Sequence, residues 1–458
     1  PLVPPNLAAL LSAANPSAEA GLRGAGGFVA YRDIAQGTSL GGRRDELAGR
    51  SVLLAVASQL ASARLLLELD GIAARVVIVP PDFTADQMTA AALQANIDVI
   101  VHDDRTPELG LDAMRIGMMP LHSAEPYQGG VWQTEWVLPT SGTTGAPKLV
   151  AHLLPGLLGA VRPRRADEAP PVWSTFYDIR RYGGMQIFLR AATSGVTLVV
   201  TESDELLADH VARMAEAGVT HLSGTPSHWR RLLMSPHAKR ISPRYVRLSG
   251  EIADRAILDS LKVAYPQAAI IHAYASTEAG VGFEVTDGGE GFPASYLDGV
   301  SDVEMRVIDG SLRLRSARVA RRYVGRDDLA VSDTDGFVDT DDMVEQRGDR
   351  FYFLGRRAGI INVGGLKVHP EEVEQVINQH EAVRMSLVKA RRSPITGDLI
   401  VADVVLKTTT ESQQAQALRE EILANCRARL ERHKAPVMIN FVPALDLQAS
   451  GKLKRRHA

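Results

Sequence analysis

Residues 140–148 read Thr-Ser-Gly-Thr-Thr-Gly-Ala-Pro-Lys. Four hydroxyl side chains, two glycines and a lysine in nine residues make a set suited to a polyphosphate. Glycine lets the backbone turn tightly and approach a ligand closely. Hydroxyls and main-chain N–H groups donate to phosphate oxygens, and Lys148 adds positive charge. A Ser/Thr/Gly linker has a similar composition. A linker needs no ordered Pro-Lys finish, however, and the apolar Trp136-Val137-Leu138 immediately upstream predicts a strand instead. The Gly-x-x-x-x-Gly-Lys spacing of the common nucleotide P-loop is missing.

Five further segments carry side chains able to do chemistry, and each also has an ordinary reading. Tyr274-Ala275-Ser276-Thr277-Glu278 follows a strand expected to end near His272. A tyrosine ring stacks on a purine, a threonine hydroxyl bonds a phosphate, and a glutamate holds Mg²⁺ through oxygen. A capped turn accounts for the same residues. Asp339-Thr340-Asp341-Asp342 reads as a solvated acidic turn or as a carboxylate that accepts both hydroxyls of a ribose. Gly355-Arg356-Arg357 stands where the composition changes, and Gly364-Gly365 follows, either as a plain hairpin or as a place where a narrow ligand can approach. Near the end, Ser450-Gly451-Lys452 is a tail lysine on a glycine turn.

The elements that must position these residues alternate. Residues 51–57, 75–80 and 98–102 read as strands separated by helical stretches, a β-α-β-α-β order that favours a parallel sheet covered by helices. The alternation returns with strands at 196–201, 220–223, 245–249 and 268–272 and helices at 204–217, 227–234 and 254–264. Ligands in such sheets bind at the carboxyl ends of the strands. After about residue 294, short strands such as 303–308 and 311–315 predict a small β-rich unit. From residue 356 the order is mixed. A helix starts after Pro370 with Glu371 and Glu372 in its first turn. Strands at 385–390 and 399–406, a helix at 413–430 and a last strand at 437–442 follow. The expected fold is α/β: a large N-terminal domain, 1–355, of two α/β layers plus a small β unit, then a small mobile α+β C-terminal domain, 356–458, of about a hundred residues.

The bulk numbers exclude several classes. A 458-residue chain with 45 % hydrophobic and 23 % charged residues is ordinary for a globular protein. A net charge of −3 offers no electrostatic grip on nucleic acid. The single cysteine, Cys426, excludes an intramolecular disulfide and a cysteine-rich metal site, and it is expected as a core thiol. No apolar stretch reaches ~18 residues, so no membrane span is expected. Residues 7–14 lack the basic start of a signal peptide. A cytoplasmic enzyme, monomeric or homodimeric, is the expectation.

Taken in order, the hydroxyl-rich loop, the Tyr-x-x-Thr-Glu segment, the aspartate turn, the Gly-Arg segment, the Gly-Gly segment and the terminal Gly-Lys resemble the adenylate-forming superfamily over essentially the whole chain. That superfamily includes acyl-CoA and aryl-CoA ligases, peptide-synthetase adenylation domains and luciferases. The resemblance implies ATP, Mg²⁺ and coenzyme A as co-substrates and cofactor. A carboxylic acid would be activated as acyl-AMP with release of pyrophosphate, then passed to the thiol of coenzyme A. It also implies roles. Thr140, Ser141, Gly142, Thr143, Thr144, Gly145 and Lys148 would hold the β- and γ-phosphates. Thr277 would touch the α-phosphate, and Glu278 would bind Mg²⁺. Tyr274, within Ala273-Tyr274-Ala275-Ser276, would stack on adenine, and Gly250 and Glu251 would border the acyl and adenine pockets. Asp342, with Arg356, would meet the ribose. Lys452 would bridge the substrate carboxylate and the phosphate during adenylation. Rotation of the C-terminal domain about a hinge near Ala358 would then withdraw Lys452 and bring Gly365 to the pantetheine.

Some positions depart from the superfamily. The hinge residue is commonly Asp or Lys, and here it is Ala358. The usual Thr-Gly-Asp reads Thr340-Asp341-Asp342, which leaves open which aspartate meets the ribose. The acid pocket would be walled by Tyr177, Tyr182, Gly183, Gly224, Ala273, Ala279 and Gly280. Small residues beside aromatics favour a flat aryl acid over a medium fatty acid. Arg180 and Arg181 either pair a second polar group on the acid or pair surface carboxylates. Two other functions stay open. One is a stand-alone adenylating enzyme that loads a carrier-protein pantetheine or an amine. The other is a nucleotide-binding homologue that has lost catalysis, against which the retained Lys452, Glu278 and phosphate loop argue.

Overall fold

The computed structural model describes residues 5–140, 147–162, 164, 168–202, 204–299, 302–393, 397–408 and 412–455. The expected β-α-β alternation builds two sheets. In the first, strands run in the spatial order Met114–Gly117, Val99–His102, Ser51–Ala55, Arg75–Ile78, Glu135–Thr140, Lys148–Leu153, Arg322–Tyr323. The first five of these are mutually parallel. In the second, Gly280–Val285, Ala269–Ser276, Tyr245–Ser249, His221–Gly224, Trp173–Thr175, Leu198–Val199, Gly21–Gly24 and Gly27–Ala30 stand side by side. The central strands of this sheet are again parallel, with an antiparallel strand at each edge.

Parallel strands buried on both faces read as apolar runs, as Val52-Leu53-Leu54-Ala55 does. One core holds residues of both sheets (Leu22, Val52, Val76, Trp136, Leu198) together with the helices Gln59–Leu69 and Tyr182–Thr193, so those helices form a shared layer. Asp70, at the end of the first of these helices, is pinned inside that layer. It accepts the Trp136 indole N–H at 2.8 Å and the Leu7 N–H at 2.7 Å.

The small β unit is an all-antiparallel sheet of Phe292–Pro293, Arg350–Arg356, Val338–Arg347, Ser311–Arg315 and Glu304–Ile308. From Ile361 the chain forms its own sheet (Leu366–Val368, Ile361–Val363, Gly397–Leu406, Val383–Ser393), and Met438–Phe441 pairs in parallel with Gly397–Leu406. The helices Pro370–Asn378 and Ser412–Arg429 close a separate core on that sheet through Val373, Ile377, Ile422 and Cys426. The molecule is therefore α/β, with a large N-terminal domain and a small C-terminal one. Among the described residues, no helix is long and apolar enough to cross a membrane.

Two expectations need correction. The strand expected to end near His272 runs on to Ser276, so Tyr274, Ala275 and Ser276 lie within a strand rather than in a turn after it. It pairs antiparallel with Gly280–Val285 and carries a bulge between Tyr274 and Ala275. Asp339–Asp342 likewise lies in the strand Val338–Arg347, not in an acidic turn. Asp341 takes φ +61°, and the register with the next strand slips between Met343 and Val344. Aspartate is among the few side chains that tolerate the left-handed region, so turn-like composition here marks an irregular strand.

Cys426 is fully buried, and burial pushes its thiol up to about 11. The thiolate is the reactive form. A thiol-specific reagent is therefore expected to modify the native protein only as fast as the C-terminal core opens, and to react at once in denaturant. Prompt labelling of the native protein would show that the helix Ser412–Arg429 does not pack as described.

Candidate active site

The hairpin of Glu135–Thr140 and Lys148–Leu153 presents Thr140 opposite Lys148 at its open end. The expected phosphate loop is the connection between them, and Ser141, Gly142, Thr143, Thr144 and Gly145 lie outside the described residues. Lys148 carries its ammonium over the Tyr323 ring, 5.4 Å from the centroid. The Tyr323 hydroxyl in turn donates to Glu278 Oε1 at 3.5 Å. Thr140, Lys148 and Glu278 therefore share one end of the first sheet.

Thr277 is held by its main chain. Its carbonyl accepts a hydrogen bond from His152 Nε2 at 2.8 Å. A carbonyl only accepts, so Nε2 carries the proton. His152 is 1 % exposed, and burial pushes it down to about 4, which keeps the imidazole neutral. The same ring lies 5.6 Å from that of Tyr182. Sequence reasoning passed over His152, because a histidine in an apolar strand gives no signal of a distant main-chain partner.

Tyr274, Asp342 and Arg356 meet directly. The Tyr274 hydroxyl donates to Asp342 Oδ2 at 2.5 Å, and Arg356 Nε donates to Asp342 Oδ1 at 3.3 Å across the strand pair. Burial first and the Asp342 carboxylate second raise the Tyr274 phenol well above its ordinary value. Its ring lies nearly parallel to Phe353 and Phe283, at 5.2 and 5.6 Å. Asp341 instead faces Arg357 at 3.5 Å, and Asp339 accepts from Ser311 at 2.6 Å and from the Asp341 N–H. Of the three aspartates, Asp342 is the one turned to Tyr274 and Arg356.

Lys452 arrives from the other end of the chain. Its Cε lies 3.3 Å from where a Cβ on Gly250 would be, so the missing side chain makes room for the lysine stem. Gly250 also has φ +86°, a second reason for glycine there. Burial depresses the ammonium, as does Arg356, while Glu251 and Asp342 oppose the shift. The lysine thus sits among residues from three separate segments.

What holds it there is mostly main chain. Thr225 Oγ1 donates to the Gly451 carbonyl at 2.7 Å. Glu251 accepts the Leu453 N–H on Oε1 and the Ser227 N–H on Oε2, both at 2.9 Å. Thr225 and His228 form a reciprocal cap at the start of the helix Pro226–Met234: the His228 N–H donates to Thr225 Oγ1 at 3.0 Å, and the Thr225 N–H donates to His228 Nδ1 at 3.1 Å. An imidazole that accepts at Nδ1 is neutral, and burial pushes His228 down to about 3. Gly451 lies against that ring with φ +75°, and a Cβ there would fall 1.8 Å from His228 Cε1. Further contacts seat the small domain. Arg230 binds both oxygens of Asp254 at 2.7 Å and donates to the Arg384 carbonyl, and Asn378 donates to Asp254 at 3.1 Å. Arg455 pairs with Glu374 at 2.7 Å and Glu371 at 3.3 Å, and Glu371 lies against Gly355.

The expected wall of the acid pocket lies between the helix Tyr182–Thr193 and the second sheet. Tyr177 is buried and donates to the Ser249 carbonyl at 2.6 Å. Gly183 packs on the Tyr177 ring, and Gly224 is hemmed by Phe176 and His228. Ala273 pairs with Ser249 in the sheet. Gly280 takes φ +78° against the Arg318 carbonyl. Of the two arginine readings, pairing within the protein holds. Arg180 is bound by Asp178 and donates to the Val56 and Ala57 carbonyls at 2.8 Å, and Arg181 pairs with Asp82. Gly365 stands apart. With Gly364 it forms the exposed tip of a hairpin, with nothing within 4 Å of either Cβ position.

Known proteins resemble this chain in sequence and in fold. The family model for AMP-binding enzyme matches residues 51–320, and that for AMP-binding enzyme C-terminal domain matches 372–452. A 4-chlorobenzoate–CoA ligase of Arthrobacter sp is 27 % identical over 90 % of this chain and 84 % of its own. A 2-succinylbenzoate–CoA ligase of Listeria monocytogenes is 25 % identical over 70 % of this chain and 68 % of its own. Among solved structures, a benzoate CoA ligase from Burkholderia xenovorans LB400 superposes with a TM-score of 0.80 at 18 % identity, covering 98 % of both chains. An amide bond synthetase from Marinactinospora thermotolerans superposes with a TM-score of 0.75 at 19 % identity, covering 97 % of both.

The depressed histidines fix the sign of a pH effect. Each of His152, His210 and His228 has a folded pKa below its unfolded value of about 6.5, so the unfolded chain takes up the proton first. Their stabilisation is complete above pH ~6.5 and is lost as pH falls toward 4, by about 1.4 kcal/mol per pH unit for each. In NMR spectra of the native protein the rings of these three histidines are expected to stay neutral from pH 7 down to pH 5, and protonation of any of them near pH 6.5 would contradict its burial. In the same region, Gly451→Ala is expected to lower adenylation by about 10²-fold with little change in the unfolding midpoint of the large domain. Near wild-type activity would show that the Gly451–His228 contact does not place Lys452.

Proposed function

The chain belongs to the AMP-binding enzyme family and is an enzyme of the acid–thiol ligase type, and from that premise we propose that it activates a carboxylic acid with ATP and transfers the acyl group to coenzyme A. The observation that carries this reading is the seating of Lys452 beside Gly250, within electrostatic reach of Arg356, Asp342 and Glu251. In the first half-reaction an oxygen of the acid attacks the α-phosphorus of ATP. The bond to the bridging oxygen breaks, and pyrophosphate leaves. In the second, the coenzyme A thiol gives up its proton to solvent, its sulfur attacks the acyl carbon, the bond from that carbon to the phosphate oxygen breaks, and AMP leaves.

The residues fit these steps. Lys452 would lie between the acid carboxylate and the α-phosphate, where a fixed cation offsets the charge that builds in the transition state; such terms are worth a few kcal/mol. Thr140 and Lys148, with the loop they frame, would hold the outer phosphates. Thr277, oriented through His152, would face the α-phosphate. Asp342 would accept the ribose hydroxyls with Arg356 beside it, and Tyr274 would lie under the adenine. Glu278, which accepts from Tyr323 beside Lys148, would be the carboxylate that binds Mg²⁺. Among the described residues no group of three or more His, Cys, Asp or Glu could cage a metal alone. That suits an ion bound by one carboxylate plus substrate phosphates and water. Mg²⁺ bound in this way would offset charge on the departing pyrophosphate.

The docked Lys452 and the exposed Gly364-Gly365 tip support assignment of this arrangement to the adenylation step. Rotation of the residues after 355 about the short turn Arg357–Gly359 would exchange the two for thioester formation. Aryl acids are favoured by the tyrosines and glycines of the pocket and by relatives named for substituted benzoates.

Lys452→Ala is expected to reduce acid-dependent exchange of pyrophosphate into ATP by at least about 10²-fold. Thioester formation from supplied acyl-adenylate should stay near the wild-type rate. Equal loss of both half-reactions would overturn the two-arrangement account. Exchange without any thioester, rescued by an amine or a carrier protein, would reassign the acceptor.

A further inference from the structure

Between the second sheet and the helix Tyr182–Thr193 lies a group of buried charges that the proposed adenylation does not use. Ser223, Arg247 and Ile271 are register partners on three neighbouring strands, so their side chains share a face. In the next row toward the carboxyl ends, Ser249, Ala273 and Glu284 are aligned in the same way. Across from this face, Tyr182, Gln186 and Arg190 recur every fourth residue along the helix Tyr182–Thr193, which places them on one stripe. Arg247 Nε donates to Glu284 Oε1 at 3.1 Å, and Arg190 Nη2 reaches the same oxygen at 3.5 Å. Two guanidinium groups therefore share one carboxylate.

The charges do not balance, and several polar atoms are left over. Arg247 is 2 % exposed, and its Nη2 is buried without a hydrogen-bond partner. So are Arg190 Nε, Ser223 Oγ and Gln186 Oε1. A buried donor without an acceptor typically costs 1–3 kcal/mol, more when charged, so these unmet groups are unlike ordinary core packing. Glu284 keeps 29 % of its side chain exposed, so the layer is not sealed from solvent. Tyr245 and Trp173, with His221, form an aromatic row one step deeper and floor the layer.

We infer that the acid activated at this site carries a second carboxylate, bound by Arg247 with Ser223 and Arg190. Position gives the length. Arg247 lies two residues below Ser249, and Lys452 is seated at the following Gly250. Three residues of extended chain, from Arg247 to Gly250, span at most about 10 Å. A first carboxylate at Lys452 and a second at Arg247 would thus lie within the reach of an aromatic or short aliphatic diacid. The inference rests on the adenylation reading and adds to it what the acid carries at its far end. Arg247 and Ser223 would be specificity residues that touch substrate away from the reacting atoms.

The test compares acids matched in shape that differ only in the far group: terephthalate against 4-methylbenzoate, and adipate against hexanoate, in pyrophosphate exchange by the full chain. The diacid is expected to exceed its partner in kcat/KM by about 10- to 100-fold, the range of a hydrogen bond to a charged group. Arg247→Met should collapse that ratio by raising KM for the diacid, and Arg247→Lys should restore part of it. Calorimetric titration of the same acids onto wild-type protein should rank them in the same order, and this arm holds even where Arg247→Met does not fold. Equal use of both members of each pair, or preference for the monoacid, would overturn the inference while leaving adenylation intact. Failure of every acid to support exchange would instead overturn the proposed function, and the inference with it.

Discussion

The site depends on one contact between distant parts of the chain, the docking of the Gly451 main chain on the Thr225–His228 cap. A lysine side chain has several free torsions, and its ammonium can be placed only if the backbone beneath it is fixed. Here the fixing is done by a threonine hydroxyl, a glutamate that accepts two main-chain N–H groups, and a histidine ring that admits no side chain at position 451. The neutral state of His228 belongs to the same device. Its Nδ1 must accept from the Thr225 N–H for the cap to close, and burial of the ring keeps it unprotonated. Backbone fixes Lys452, and so sets its side chain against Gly250 and within electrostatic reach of Glu251, Asp342 and Arg356.

Much of this was legible in the residues. Tyr274, Asp342 and Arg356 were picked out from three separated stretches, and the structure joins them by direct hydrogen bonds. The alternation that predicted parallel sheets, and the change of composition near Arg356, mark where the architecture changes. The bounds of the strand Tyr245–Ser249 were read to the residue, because Gly250 and the charged residues that follow interrupt the apolar run. The misreadings share a cause. At Asp341 and at the Tyr274–Ala275 bulge, residues typical of turns occupy irregular strand positions, and composition does not separate the two.

Other groups were invisible for a different reason. His152, Thr225 and His228 act through partners more than a hundred residues away or through a cap closed by histidine in place of the usual Glu or Gln. Arg180 was noted, but its environment was not. Its bond to Asp178, two residues away, and to the Val56 and Ala57 carbonyls spends it on holding the loop that carries Tyr177. A buried guanidinium with its carboxylate and carbonyls all in place is a strap. One with unmet N–H groups is a different object, and sequence does not tell them apart.

A tail gripped by its peptide groups is nearly indifferent to its own side chains. Apart from Gly451, where shape forbids anything larger, and a hydrogen bond from Ser450 Oγ to Gln448 Oε1, the grip around residues 448–453 runs through main-chain atoms, leaving Lys452 as the side chain on which the proposed function depends. Over evolutionary time this stretch can therefore drift while its two fixed positions stay put, and the pocket that chooses the acid can be rebuilt without any change in how the lysine is delivered.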